Sequence, residues 1–152
     1  MGRIPIRRAS EDDVHAIAAL AERTIRISNA ADYDAETIAA ISRNFTPALV
    51  LEKMTSRDVF VAQISRGDIC GTVSLGNGKL HSLFVDPDRQ RRGIGRQLVA
   101  HIEQHARDGG LTELHLSSSL TARYFYARLG YQDIRFEPRP DGSTWLMVKP
   151  LV

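Results

Sequence analysis

The fold is decided by LHSLFVDPDRQRRGIGRQLVAHIEQHARDGG, residues 80–110 of the chain. Its first residues are mostly apolar and β-favouring, which predicts a strand that ends at the Asp-Pro-Asp turn, residues 86–88. From Ile94 to Ala106 apolar residues recur at every fourth position, the pattern of a helix with one buried face. The glycine pair at 109–110 then ends the helix. This stretch is therefore predicted to form a strand, a sharp turn, a glycine-containing corner and a long helix.

The corner between this strand and this helix has the chemistry of an anion-binding site. Amide N–H groups in the first turn of a helix have no intrahelical acceptor, and the helix dipole adds positive charge there. Gly93 and Gly95 have no Cβ atom, so we expect a bulky anion to approach their amides closely. Arg91, Arg92 and Arg96 add positive charge around the same point. A phosphate or pyrophosphate is the expected ligand.

Two common phosphate-binding motifs do not match the corner. The Walker motif requires Gly-Lys-Ser or Gly-Lys-Thr, which the corner lacks. The dinucleotide fingerprint requires a third glycine three residues after the second one, where Leu98 stands. The pattern Gln-x-x-Gly-x-Gly at 90–95, directly after an apolar strand and a proline turn, instead resembles the acyl-CoA loop of the GNAT superfamily of N-acetyltransferases. The resemblance extends over FVDPDRQRRGIGRQLV, residues 84–99.

The resemblance implies a binding site for acetyl-CoA, with no metal. In the family, the loop amides hold the pyrophosphate of CoA, and the strand before the loop pairs with the pantetheine arm. The backbone of Phe84 and Val85 would thus hold the acetyl carbonyl. The residues implied in binding at the loop are Gln90, Arg91, Arg92, Gly93, Ile94, Gly95 and Arg96.

A second motif, SLTARYFYARLGY at residues 119–131, resembles the last conserved helix of the same family. Tyr126 falls at the tyrosine that protonates the departing CoA thiolate in many relatives. The chemistry is direct, because a phenol with an ordinary pKa of about 10 can give a thiolate a proton or a hydrogen bond. Two alternatives stay open: Tyr126 is a core residue of an amphipathic helix, or Tyr124 is the acid.

The reaction also needs a proton acceptor, because a primary amine with a pKa of about 10.4 is almost fully protonated at neutral pH. Some family members use Glu or His on the strand before the loop, and His81 lies four residues before Val85. An ordinary histidine pKa near 6.5 suits this role. The alternatives are a histidine that only pairs across the sheet, and a water that takes the proton. Ser82, the next residue, is expected to point to the other face of the sheet.

The remaining sequence predicts an α+β protein with helices on both faces of a sheet. Strands are predicted at 4–8, 59–64, 69–75, 80–85, 113–116, 131–136 and 144–148. Helices are predicted after a cap at Ser10, at 35–44 with Asp34 as cap, at 47–54, from Ile94, and at 121–129. This order is similar to the GNAT fold, a central, mostly antiparallel mixed sheet flanked by helices on both faces. Residues 1–152 are expected to form a single GNAT acetyltransferase domain.

Composition argues against several other classes of protein. Twenty Lys and Arg against 18 Asp and Glu give a net charge of +2, too balanced to suggest a nucleic-acid partner. The lone Cys70 excludes an intrachain disulfide and a multi-cysteine metal site, and we expect a small core residue there. His101, His105 and His115 have no partners at metal-ligand spacing. No signal peptide or membrane-spanning apolar run is recognised, so we expect a cytoplasmic protein without a membrane partner.

Together these features predict an acetyl-CoA-dependent N-acetyltransferase that works by direct attack of an amine in a ternary complex. Tyr126 would act on the leaving thiolate and His81 on the amine. The acceptor, a small molecule or a peptide, is not defined by these motifs, and a homodimer is a candidate assembly. The alternatives are a sensor module that binds acyl-CoA without turnover, and a nucleic-acid binder that uses RQRRGIGR. A mechanism in which Cys70 carries the acyl group as a nucleophile is a weak alternative, because no motif activates this cysteine.

Overall fold

The α+β prediction is confirmed by a computed structural model, which describes residues 2–152. The strands are β1 (Ile6–Arg8), β2 (Asp58–Ser65), β3 (Asp68–Gly76), β4 (Lys79–Val85), β5 (Glu113–Ser119), β6 (Gln132–Glu137) and β7 (Thr144–Pro150). The helices are α1 (Val14–Ser28), α2 (Ala35–Ser42), α3 (Pro47–Lys53), α4 (Ile94–Asp108) and α5 (Arg123–Arg128). None of the described helices is long and apolar enough to cross a membrane.

The seven strands form one sheet in the order β1-β2-β3-β4-β5-β7-β6. Neighbouring strands are antiparallel except β4 and β5, which run parallel. Helices α4 and α5 cover one face and share the larger hydrophobic core, which includes Leu98 and Tyr126. Helices α1 and α3 cover the other face, where Ile17 and Val50 pack on Val59 of β2. The sheet is therefore mixed and mostly antiparallel, with helices on both faces, as predicted.

The helix starts in the first third of the chain follow the sequence only in part. Asp34 caps α2 as predicted, because its carboxylate accepts a hydrogen bond from Thr37 N at 2.7 Å. The acids that follow the predicted cap at Ser10 lie in a 3₁₀ turn, Glu11–Asp13, and α1 begins only after it. There Asp13 accepts two hydrogen bonds, of 2.8 and 2.9 Å, from the guanidinium of Arg7. This pairing lowers the pKa of Asp13 and ties β1 to the start of α1.

Strand β5 is longer than its sequence predicts. It continues through Ser119, where the apolar pattern ends at Leu116. The three serines at 117–119 pair with residues 144–146 of β7. Serine carries no strand signal of its own, so this extension comes from pairing in the sheet. As a consequence α5 begins at Arg123 rather than at residue 121.

A bulge in β4 changes the direction of its side chains. Phe84 pairs with Thr72 of β3, and His81 pairs with Ser74, so β4 has one residue more than β3 between these two pairs. Ser82 adopts a φ of +54° within the extra length. An extra residue of this kind bends a strand and breaks the alternation of its side chains.

The sheet opens between β4 and β5 after this bulge. Their parallel pairing is confined to residues 79–80 of β4 and 115–116 of β5. Yet β4 continues to Val85 and β5 to Ser119. Parallel strands end on the same side of a sheet, so the gap between them opens beside the glycine corner that follows β4.

Candidate active site

The N-terminal corner of α4 presents amides that have no partner within the helix. Gly93 is the N-cap and has a φ of +80°, a left-handed conformation that glycine adopts without strain. The first helical bond is donated by Gln97 N to Gly93 O at 3.1 Å. The N–H groups of Ile94, Gly95 and Arg96 therefore have no acceptor within the helix. At the positive end of the α4 dipole, these amides are suited to an anion.

The two glycines of the corner have different structural roles. A Cβ atom at Gly93 would meet nothing closer than Gln97 Nε2 at 4.0 Å. A Cβ atom at Gly95 would lie 3.2 Å from Phe125 Cζ and 3.6 Å from Val85 Cγ2. The missing Cβ of Gly95 thus makes room for Phe125 of α5. The expectation that it leaves room for an anion is wrong for Gly95, and the open space lies at Gly93.

The positive charges predicted at the corner are free of ion pairs within the described chain. Arg91, Arg92 and Arg96 are exposed, and none of them contacts a carboxylate of residues 2–152. Arg89 differs from these three, because its guanidinium pairs with Asp68 at 2.7 Å. Three arginines therefore remain available to an anionic ligand.

Two other residues predicted to bind at the loop, Ile94 and Gln90, use their side chains for contacts within the protein. Ile94 is 2% exposed and belongs to the core, so only its backbone is available at the corner. The side-chain amide of Gln90 donates to Ser28 Oγ at 3.1 Å and to Val85 O at 3.3 Å. Gln90 thereby holds the corner against the end of α1 and the end of β4.

The last residue of β4 turns an amide toward the gap. Asp86 N donates to Cys70 O at 2.8 Å. Gly71 and Val85 form the next pair of the register, and in an antiparallel ladder the pair beside a hydrogen-bonded one exchanges no hydrogen bonds. The N–H of Val85 therefore points away from β3 and toward the gap. Cys70 itself is fully buried, as the sequence predicts.

Tyr126 on α5 is a buried phenol. It is 5% exposed and packs edge-on against Phe125 and Tyr131, at centroid distances of 5.2 and 5.7 Å. Burial raises the pKa of Tyr126 far above its ordinary value, so the phenol is protonated at neutral pH. None of the hydrogen bonds found among residues 2–152 involves its hydroxyl. Tyr131 instead donates to Glu103 at 2.8 Å, and Tyr124 is 70% exposed.

His81 is partly buried on β4 and neutral at pH 7. Its Nε2 lies 3.1 Å from Gly76 O. Because a carbonyl oxygen only accepts, Nε2 carries the proton and Nδ1 has the free lone pair. Burial, followed by the charge of Arg57, lowers the pKa of His81 to about 4.

Ser82 lies on the same side of the sheet as His81, and the prediction that it points to the other face is wrong. His81 pairs with Ser74 of β3, so their side chains lie on the same face of the sheet. Ser74 and Ser82 both line the cavity on that face. The bulge at Ser82 is the physical reason, because it interrupts the alternation that the prediction assumed. Arg57 Nη1 approaches Ser82 Oγ to 3.5 Å from the same side.

A cavity lies between the sheet and helices α1 and α3, on the side of Ser82. Its apolar walls are Ile17, Phe45, Val50, Val59 and Phe84. The rings of Phe45 and Phe84 meet edge to face, with centroids 5.0 Å apart. Most of this wall comes from segments in which the sequence shows no motif.

Two cations, Lys53 and Arg57, also line this cavity. Neither residue belongs to a sequence motif. Lys53 Nζ donates to Asn44 O at 2.6 Å and lies 3.8 Å from the ring centroid of Phe45. Burial, followed by repulsion from Arg57, lowers the pKa of Lys53 to about 8. Burial also lowers the pKa of Arg57. Nothing in the sequence distinguishes these two residues from solvated surface charges.

A polar cluster fixes the segment that leads into α5. The hydroxyl of Tyr33 donates to Ser143 O at 2.8 Å and accepts from Leu120 N at 2.9 Å. Asp32 accepts a hydrogen bond from Thr121 Oγ1 at 2.7 Å. These bonds tie the connection between α1 and α2 to the start of α5, and so position the helix that carries the buried phenol.

His101 and His105 have packing roles. The rings of His101 and His105 lie edge-on against Phe60, at centroid distances of 4.5 and 5.1 Å. His105 Nε2 also lies 2.8 Å from Asp58 Oδ2. In the part of the chain that the structure describes, no group of three or more His, Cys, Asp or Glu could hold a metal ion.

The family model described as acetyltransferase (GNAT) domain matches residues 29–149. The chain belongs to the GNAT acetyltransferase family. The resemblance seen at residues 84–99 and 119–131 is thereby confirmed, and with it the enzyme class. The predicted fold is confirmed by known structures of the same family.

Three relatives show how far the likeness of this acetyltransferase extends. The uncharacterized N-acetyltransferase YafP of Escherichia coli K12 is 27% identical over 145 residues, which are 95% of this chain and 92% of that protein. A GCN5-related N-acetyltransferase from Rhodopseudomonas palustris has a TM-score of 0.92 at 23% identity, with 99% and 97% of the two chains covered. The PaiA N-acetyltransferase from Thermoplasma acidophilum, solved in complex with coenzyme A, has a TM-score of 0.79 at 20% identity, with 98% and 99% covered.

Proposed function

We propose that this GNAT acetyltransferase uses acetyl-CoA as its donor and transfers the acetyl group to an amine by direct attack in a ternary complex. The observation that carries the proposal is the position of the glycine corner beside the gap between β4 and β5. Free amides at the corner suit a pyrophosphate, and the open edge of β4 suits an extended arm that pairs like a strand. The coenzyme A complex of the Thermoplasma acidophilum relative supports this donor.

Backbone groups would bind most of the donor. We assign the pyrophosphate to the amides of residues 91–96, where the guanidinium groups of Arg91, Arg92 and Arg96 would balance its charge. The N–H of Val85 would donate to the acetyl carbonyl at the edge of the gap. Acetyl-CoA supplies the activated acetyl thioester.

Tyr126 would protonate the thiolate that leaves when the amine attacks. The raised pKa of its phenol keeps the proton in place at neutral pH. Its hydroxyl is also free of hydrogen bonds to the described residues, unlike that of Tyr131, which donates to Glu103. General acid catalysis of this kind commonly accelerates a reaction by about 10²–10⁴-fold.

His81 would accept the proton of the amine at Nδ1, directly or through a water. With a pKa of about 4, His81 is a weak base that stays unprotonated across the neutral range. The neutral fraction of the amine attacks, its ammonium proton having gone to solvent. A weak base then suffices after attack, because an amine nitrogen becomes much more acidic once it is bonded to the acetyl carbon. We therefore expect no histidine ionisation near pH 6.5 in the pH–rate profile.

A thiol-release assay with a panel of amines tests the proposed function. The purified chain is incubated with acetyl-CoA and, in turn, with polyamines, amino acids, aminoglycosides and N-terminal peptides. Release of the CoA thiol together with the matching N-acetyl product, identified by mass spectrometry, is the expected result. Binding of CoA without thiol release for any amine would instead indicate a sensor module, and absence of CoA binding would contradict the assigned donor.

A further inference from the structure

We propose that the acceptor of this enzyme is an aminocarboxylic acid whose carboxylate is held by Arg57 and Lys53 in the cavity between α1, α3 and β4. The proposal rests on the proposed function, since it concerns the second substrate of the same reaction. It assigns the amine end of the acceptor to the gap and the acid end to the two cations.

The cavity is close enough to the donor site for one small molecule to reach both. Ser82 and Phe84 line the cavity, and the next residue, Val85, turns its N–H toward the gap. The Arg57 guanidinium lies 3.5 Å from Ser82 Oγ. Residues of a strand are spaced by about 3.3 Å, so Ser82 lies within roughly 10 Å of Val85. An amine and a carboxylate separated by a few carbon atoms span such a distance.

The charge of the cavity is positive and is not balanced by the described residues. Neither Lys53 nor Arg57 pairs with a carboxylate of residues 2–152. Glu52, the neighbour of Lys53 on α3, is exposed and acts on Lys53 less strongly than burial and Arg57 do. Two like charges in a partly buried site repel each other, and a bound anion removes that repulsion. A polyamine without an acid group would instead add to it.

The size of the cavity favours a carboxylate over larger anions. Its volume is about 20 Å³, so only a small group enters without moving the walls. The parallel N–H groups of a guanidinium match the two oxygens of a carboxylate. The walls of Ile17, Phe45, Val50 and Phe84 are apolar, and the carbon chain between the amine and the acid can pack on them.

The test compares each acid with its own amide. The probes are β-alanine, γ-aminobutyrate and ε-aminocaproate, each beside its carboxamide. We expect kcat/KM for the best acid to exceed that for its amide by about tenfold or more, the range of a hydrogen bond to a charged group. Arg57→Gln should remove most of this preference by raising KM for the acid, with KM for acetyl-CoA unchanged.

Three further variants give the test its controls. Arg57→Lys keeps the charge and should restore part of the preference. Lys53→Gln should weaken it, but less than Arg57→Gln, because Lys53 Nζ is also engaged by Asn44 O. Arg66→Gln removes an exposed arginine from the turn between β2 and β3 and should change neither the preference nor the KM values. An unchanged stabilisation by CoA shows that each variant is folded.

The outcomes separate this proposal from the proposed function. Amides that are acetylated as well as their acids, or an acid preference that survives Arg57→Gln, would overturn the carboxylate site while the transferase function stands. If no amine is acetylated, the proposed function fails, and calorimetric titration of the CoA complex with the same acids decides the carboxylate site. Saturable binding that Arg57→Gln abolishes supports the site, and no binding to the wild-type protein overturns it.

Discussion

The two faces of the sheet carry the two proposed binding sites, and each site is built from different parts of the chain. On the face of α4 and α5, the proposed donor site is built mainly from backbone: a left-handed Gly93, the free amides after it, and the open edge of β4. On the face of α1 and α3, the cavity is built from side chains such as Phe45, Lys53 and Arg57, which come from separate segments. A backbone site needs glycine and turn residues at fixed spacing, whereas a side-chain site needs only charges and apolar groups that meet after folding.

This difference has a consequence for specificity. Substitutions on the α1 and α3 face can change the acceptor without disturbing the groups that bind the donor. Substitutions at the corner should lower the acetylation rate of every acceptor to the same extent. The expected effects below test this separation between the two faces.

The largest expected effect is on turnover, from Tyr126→Phe. The substitution keeps the buried ring and removes the phenolic proton, so kcat should fall by about 10²–10⁴-fold. Binding of CoA, measured by calorimetry, should stay the same. Tyr131→Phe is the matched control, because it removes the hydrogen bond to Glu103. It should lower the free energy of unfolding by about 1–3 kcal/mol and leave kcat within a few-fold. Full turnover by Tyr126→Phe would refute its role as the acid.

Substitutions at the two corner glycines should affect different properties, CoA affinity at Gly93 and stability at Gly95. Gly93→Asn keeps the left-handed conformation that Asn tolerates and places a side chain in the open space at the corner. Its affinity for CoA should fall by about tenfold or more, with little change in the melting temperature of the free protein. Gly95→Ala places a Cβ atom 3.2 Å from Phe125 Cζ and should lower the free energy of unfolding by about 1–3 kcal/mol.

A second substitution sharpens the comparison of the glycines. Phe125→Leu shortens the side chain that fills the space at Gly95, so it should recover part of the stability that Gly95→Ala loses. It should not recover the CoA affinity that Gly93→Asn loses. Equal losses of CoA affinity in Gly93→Asn and Gly95→Ala, each without loss of stability, would contradict the separate roles of the two glycines.

Stabilisation by ligand comes next in size. CoA at a hundred times its dissociation constant should add about 2.7 kcal/mol to the free energy of unfolding, because it binds only the folded chain. NAD and ATP at the same concentration should add much less, since neither has an arm that pairs with β4. Differential scanning calorimetry measures all three. An equal response to the three ligands would reduce the corner to a general anion site around Arg91, Arg92 and Arg96.

A further expected effect is the pH dependence of stability at His81. Its pKa is about 4 in the folded state against an ordinary value of 6.5, so between these values the unfolded chain binds more protons. The contribution of His81 to the free energy of unfolding should therefore be fully present above pH 6.5 and should decline as pH falls toward 4. The free energy of unfolding, measured by urea denaturation, should decline more steeply with falling pH for the wild-type protein than for His81→Gln. Curves that stay parallel from pH 7 to pH 4 would show that folding leaves the pKa of His81 unchanged.

The glycine corner that we assign to the donor was predictable from sequence because its geometry depends on residue types with special backbone behaviour. A glycine suits the positive φ of Gly93, whereas the positive φ of Arg91 has no sequence signal. The role of Gly95 was not predictable, because the residue that fills its missing Cβ, Phe125, lies on another helix. Likewise the length of β5 depends on pairing of Ser119 with β7.

The cavity that we assign to the acceptor was not predictable, for a physical reason that applies to Ser82, Lys53 and Arg57 alike. The side that Ser82 faces depends on a bulge, which inserts one residue without a recognisable signal. Lys53 ends α3 and Arg57 precedes β2, and at such positions a charge is ordinarily solvated. Only packing of α3 against the sheet brings both charges to one cavity.

Direct transfer itself is tested by intact mass spectrometry with CoA that carries a deuterated acetyl group. The wild-type protein is first incubated with this donor alone, and an amine that supports turnover is then added. We expect an unchanged protein mass before the amine is added, and afterwards one deuterated acetyl group on the amine for each CoA thiol released. A protein mass increased by one acetyl group, at Cys70 or elsewhere, that is then passed to the amine would contradict direct attack in a ternary complex.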